Sequence, residues 1–126
     1  MIDLSGLTAG TELDVRADVA GPTLAVAFTG SAEMGVFDAL KVIVARLHAA
    51  ALAAKVTEVA IDFTKLEFMS SSCFKCLVTW IGDITDLEEA RQYKLRFHSS
   101  SVHLWQRRSL HVLQTFATEL VFVESS

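Results

Sequence analysis

Apolar and polar residues alternate strictly from Leu13 to Val19, with Asp14, Arg16 and Asp18 between the apolar positions, which is the period-two signature of a strand with one buried face. A turn at Ala20-Gly21-Pro22 leads into a second apolar run, Leu24 to Phe28, so the chain is predicted to open with a β-hairpin. Gly30-Ser31 is expected to break that second strand. Beyond it the period changes. Phe37, Leu40, Ile43, Val44, Leu47 and Ala51 recur at helical spacing and predict a first helix ending near Lys55. Val56 to Phe63 is apolar on both faces apart from Thr57, Glu58 and Asp62, which predicts a central strand covered by helices on each side. After a short connection, Thr64 to Met69, a second helical stripe runs through Phe74, Leu77, Val78, Ile81 and Ile84. Thr85 and Glu88 have capping-box spacing, so this helix is expected to break near Gly82 and restart. Tyr93 to His98 alternates as a strand, Val102 to Phe116 reads as a third helix, and Leu120 to Val123 as a last strand.

The predicted order is β-β-α-β-α-β-α-β. Strands separated by helices imply right-handed parallel crossovers, and hence an α/β fold with a single layer of sheet packed by helices. A length of 126 residues, with 52% hydrophobic and 21% charged residues, suits one domain over residues 1–126 with a packed core. The formal net charge of −4 disfavours nucleic acid and anionic membranes as partners and leaves proteins, a second copy included. Met1 to Gly6 lacks a signal-peptide pattern, and the longest apolar tract, Val36 to Ala54, is interrupted by Asp38, Lys41, Arg46 and His48. A cytoplasmic protein is expected. Two cysteines, Cys73 and Cys76, make no disulfide framework.

Candidate chemistry is densest between Val59 and Leu77, where Ser70, Ser71 and Ser72 fall at a predicted strand-to-helix junction. Unpaired N–H groups at a helix start accept a serine cap or an anion, so one of these serines is expected to cap the helix. A cap requires one serine, and three are present. The segment resembles the STAS pattern of anti-sigma-factor antagonists: a buried strand ending in Asp-x-Ser/Thr, an apolar connection, then Asp-Ser-Ser-Gly opening a helix. Asp62 and Thr64 match the first part, Phe68-Met69 the apolar pair, Ser71 and Ser72 the two serines, and Leu77 a core position. The resemblance implies a STAS-like fold and a non-enzymatic bacterial regulator. It would bind a serine kinase/anti-sigma-factor-like partner, with phosphorylation of Ser71 (alternates Ser70 and Ser72) releasing that partner and a phosphatase restoring binding. The partner surface would comprise Asp62, Thr64, Met69, Ser70, Ser71, Ser72 and Lys75. Ser70 stands where the family usually has Asp, and Cys73 where it usually has Gly, which leaves open an unphosphorylated scaffold or complex subunit with the same fold.

Cys73-Phe74-Lys75-Cys76 is a CxxC at the same junction and admits a thiol redox sensor, but the only proline, Pro22, lies far upstream, and buried core thiols are the simpler reading. His48, His98, His103 and His111 share no ligand spacing with the cysteines, so no metal site is predicted. Neither a Gly-x-Ser-x-Gly elbow nor a glycine-rich phosphate loop occurs, and neither enzyme activity nor a cofactor is expected. A basic tract, Arg91, Lys94, Arg96, His98, His103, Arg107, Arg108 and His111, runs through the last third. Within it, Trp105, Arg107 and Arg108 form a possible second contact patch for an acidic or phosphate-bearing partner, since Trp and Arg are enriched at interface hot spots.

Overall fold

A computed structural model of the chain describes residue 4 and residues 6–125, so most of the Met1 to Gly6 reading lies outside the described residues. Its elements are β1 (Leu13–Ala20), β2 (Thr23–Ala32), α1 (Phe37–Ala54), β3 (Glu58–Met69), α2 (Ser71–Thr85), β4 (Lys94–Ser99), α3 (Leu104–Phe116) and β5 (Val121–Ser125), in the order the sequence predicts. The strands form one sheet in the sequential order β1-β2-β3-β4-β5. β1 and β2 are antiparallel, and β2 to β5 are parallel. The hairpin closes through two residues. Gly21 adopts a φ of 61° at the first central position and Pro22 supplies a fixed negative φ at the second, the pattern of a type II′ turn.

Three successive crossovers run the same way across the sheet, and a common right hand puts all three helices on one face. The burial pattern agrees. In β3, Val59, Ile61, Phe63, Leu66 and Met69 are buried, whereas Glu58 and Ala60 are half-buried and Asp62 is exposed. The expectation of helices on both sides of this strand is therefore corrected. Ala25, Ala27 and Ala60 look apolar in the sequence but floor a shallow trough of about 410 Å³ on the open face, rimmed by Arg16, Asp18, Arg96 and His98. Short side chains there allow the face to stay wet at little hydrophobic cost, because each exposes few methyl groups.

The opposite face carries the core. Phe28, Phe63 and Phe97 meet there with ring centroids 5.3 Å apart in successive pairs. α2 lays Cys73, Cys76, Leu77, Trp80, Ile81 and Ile84 against it, a spacing of three and four residues that keeps one stripe buried. Trp80 donates from Nε1 to the Tyr93 hydroxyl at 2.6 Å, and that hydroxyl also meets His48 Nδ1. α1, α2 and the start of β4 are thereby joined by a polar contact inside an apolar core, which costs least when every partner is satisfied.

Three local expectations change. β2 runs through Gly30 to Ala32: Gly30 adopts a φ of 108° at a register shift with β3, where an added Cβ would lie 2.0 Å from the Glu12 carbonyl oxygen. Glycine there permits a bulge rather than a break. The connection from Thr64 to Met69 is itself strand, extending β3 alongside the end of β2. Finally, α2 continues through Gly82, and Thr85 is no cap, because its hydroxyl donates to the Ile81 carbonyl at 2.8 Å.

Candidate functional site

The site begins where β2 and β3 end side by side. Ala32 pairs with Met69, and the Ser70 N–H donates to the Ala32 carbonyl at 2.8 Å, so the last rung of the parallel ladder fixes the residue that starts α2. Ser70 is extended (φ −69°, ψ 161°), and its Oγ accepts from the Cys73 N–H at 3.2 Å, the N-cap arrangement. The first turn of α2 is further held by Cys73, whose Sγ donates to the Glu33 carbonyl at 3.3 Å. A 3₁₀ turn at Met34–Val36 packs beside it.

The three serines are separated by this geometry. Ser70 is the cap, Ser72 is half-buried, and Ser71, at the first helical position, is exposed, with no hydrogen-bond partner for its hydroxyl among the described residues. Lys75 is exposed one helical turn beyond Ser71. The first turn holds no acidic side chain that would oppose an added anion at the positive end of the helix.

Other predicted site residues fall elsewhere. Met69 is buried, so it supports the junction from below and is not displayed to a partner. Asp62 Oδ1 accepts from both the Thr64 N–H (2.8 Å) and the Thr64 hydroxyl (2.6 Å), a local turn at the β2–β3 register shift. Eight residues of strand, at about 3.3 Å each, separate Asp62 from Ser70 by up to roughly 26 Å. The structure does not bring that pair to the serines.

Two surface residues escaped the sequence reading. Met34 is 70% exposed on the 3₁₀ turn and Phe68 is 45% exposed next to Met69, an apolar margin flanking the serine junction. Phe68 occupies a stretch whose hydrophobicity reads as core, and only the one-sided burial of the β3 extension reveals it, whereas Met34 precedes the first helical stripe and belongs to no periodic pattern.

α3 holds the extension from the other side. Gln106 is fully buried; its Nε2 donates to the carbonyls of Phe63 (2.6 Å) and Leu66 (2.8 Å), and its Oε1 accepts from the Ser100 N–H at 2.9 Å. Trp105 Nε1 donates to the Glu67 carbonyl at 2.8 Å, and a His103 ring nitrogen lies 3.1 Å from the Thr64 carbonyl. Trp105 is therefore turned toward β3, while Arg107 and Arg108 are exposed in a depression between α3 and β5, so the suggested second patch divides. The basic tract divides too, since Arg96 bonds Glu58 (2.9 Å) and Glu124 (3.0 Å) on the open sheet face.

Both cysteines are buried, and burial pushes the Cys76 thiol up, which disfavours the reactive thiolate.

No protein-family model and no curated protein matches the sequence. Among solved structures, the chain is similar to an anti-sigma factor antagonist from Mycobacterium paratuberculosis, at 17% identity over 91% of this chain and 89% of that one, with a TM-score of 0.62. It is also similar to the anti-sigma factor antagonist SpoIIAA in its unphosphorylated form, at 17% identity over 90% and 88% of the two chains, with a TM-score of 0.55. The chain thus has the STAS-like fold of anti-sigma factor antagonists.

Proposed function

We propose that the chain is a non-enzymatic regulatory module that docks a partner protein over the β3–α2 junction and is switched by phosphorylation of Ser71. The observation that carries this reading is the division of labour among the serines: Ser70 takes the structural role, which leaves Ser71 exposed, unbonded and free to be modified without loss of the cap. Met34 and Phe68 supply an apolar margin for contact. Phosphate on Ser71 adds about −1.5 to −2 charges at the centre of that surface, within reach of Lys75, and repels or rearranges a docked partner. The fold shared with anti-sigma factor antagonists supports a regulatory protein partner in general, and a kinase with a phosphatase acting in the opposite sense completes the proposed switch.

Affinity capture from source cells with wild-type, Ser71→Ala and Ser71→Asp baits tests the switch. A partner held by the first two and lost by the third is expected; retention by all three baits would sink it. Intact-mass measurement across growth and stress conditions separates the switch from an unphosphorylated scaffold, which never gains phosphate.

A further inference from the structure

We propose that the open edge of β5, with the basic flank of α3 beside it, docks an extended acidic peptide segment of a partner protein, which joins the sheet as a sixth strand. This site is separate from the serine junction, as none of its lining residues belongs to β3 or α2.

Among the described residues β5 pairs with β4 alone and ends the sheet. The Leu95 N–H donates to the Leu120 carbonyl. Bonds alternate along a parallel strand, so Phe122 and Glu124 direct their backbone groups at β4, while Val123 and Ser125 direct theirs outward. The Ser99 hydroxyl, which donates to the Glu124 carbonyl at 3.1 Å, confirms that parity. Val123 and Ser125 line a depression of about 650 Å³ whose other wall is Leu104, Arg107, Arg108 and His111 of α3. Among the described residues its walls contain no carboxylate and neither arginine joins an ion pair, although the protein as a whole carries a net charge of −4. The edge itself lacks the proline, lysine or bulge by which sheet edges are usually blunted.

The chemistry selects the occupant. Outward N–H and C=O groups ask for another backbone in extended form, and two guanidinium groups beside them ask for carboxylates at alternate positions of that strand. A second copy fits poorly, because two-fold pairing of β5 with β5 would set the two basic α3 flanks against each other. A nucleic acid would meet the arginines and leave the backbone groups unpaired.

The test is fluorescence anisotropy with a fluorescein-labelled Gly-Glu-Val-Glu-Val-Glu-Val-Gly probe on the full chain. Saturable binding is expected, weakened at least tenfold by Arg107→Glu/Arg108→Glu, two exposed positions whose change leaves the fold intact, and weakened again by added salt. A Lys-for-Glu peptide is expected not to bind. The decisive arm keeps the glutamates but N-methylates alternate backbone nitrogens; it is expected to lose binding, with the Val123 and Ser125 amides slowed in hydrogen exchange only by the unmethylated probe. Equal binding of the methylated peptide, unchanged affinity of the double variant, absence of saturable binding, or a dimer of the free chain formed through β5 would each overturn the proposal. Ser71→Asp leaves probe affinity unchanged, so failure here and failure of the proposed switch are distinguishable.

Discussion

At Ser70 the hydroxyl accepts from the Cys73 N–H, whereas one position later the Ser71 hydroxyl meets solvent. Ser70→Ala is therefore expected to destabilise the fold by about 1 kcal/mol, the usual cost of losing an N-cap, and Ser71→Ala by less than about 0.5 kcal/mol. Urea titration checks both, through a lowered midpoint at unchanged slope for the first and a wild-type midpoint for the second. The sequence located the serine junction because a hydroxyl run between an apolar strand and a helical stripe has few other uses. It did not say which serine caps, since that depends on one residue being extended and the next helical. Cys73 and Cys76 were legible as core thiols from their apolar neighbours. Met34 and Phe68 were not legible as surface, because exposure of an apolar side chain leaves no mark on its periodicity.

Among the elements, α3 determines how firmly the β3 extension is held. Gln106 satisfies two carbonyls and one N–H that have been withdrawn from water. Gln106→Leu leaves all three without that partner and is expected to cost about 3 kcal/mol or more, at roughly 1–3 kcal/mol for each orphaned group less relaxation. Thermal unfolding measures the loss, and increased exchange of the Ser70 to Cys73 amides shows whether it reaches the serine junction. A glutamine inside an amphipathic helix reads as a solvent-facing residue, which is why its role was hidden. His48, on α1, offers a second check. Burial holds its imidazole below the ordinary value of about 6.5, with Asp83 opposing this and Arg91 adding to it. A base whose pKa is lowered by folding binds fewer protons in the native state than in the unfolded one, so stability is full above about pH 6.5 and falls as pH drops below it. Unfolding midpoints measured between pH 7.5 and 5.5 are expected to fall more for the wild type than for His48→Gln.

For the molecule as a whole, the order of elements along the chain and the parallel pairing followed from the alternation of periods, but the one-sided layering did not. Ala25, Ala27 and Ala60 are apolar in a sequence count yet small enough to face water, so β3 looked buried on both faces when it is buried on one. Gly30 was likewise read as a stop when it is the hinge of a bulge. Gly30→Ala forces a Cβ onto the Glu12 carbonyl at a positive φ and is expected to cost about 2 kcal/mol or more, seen as a drop in melting temperature.

The sequential strand order has a consequence for how the molecule is made. Each parallel strand joins the one laid down just before it, so a growing chain can assemble β1, β2, α1 and β3 from contacts already synthesised. The buried glutamine that fastens the β3 extension lies in α3, near the end of the order. The serine-bearing junction thus becomes rigid only after α3 has been made and has packed against the β3 extension.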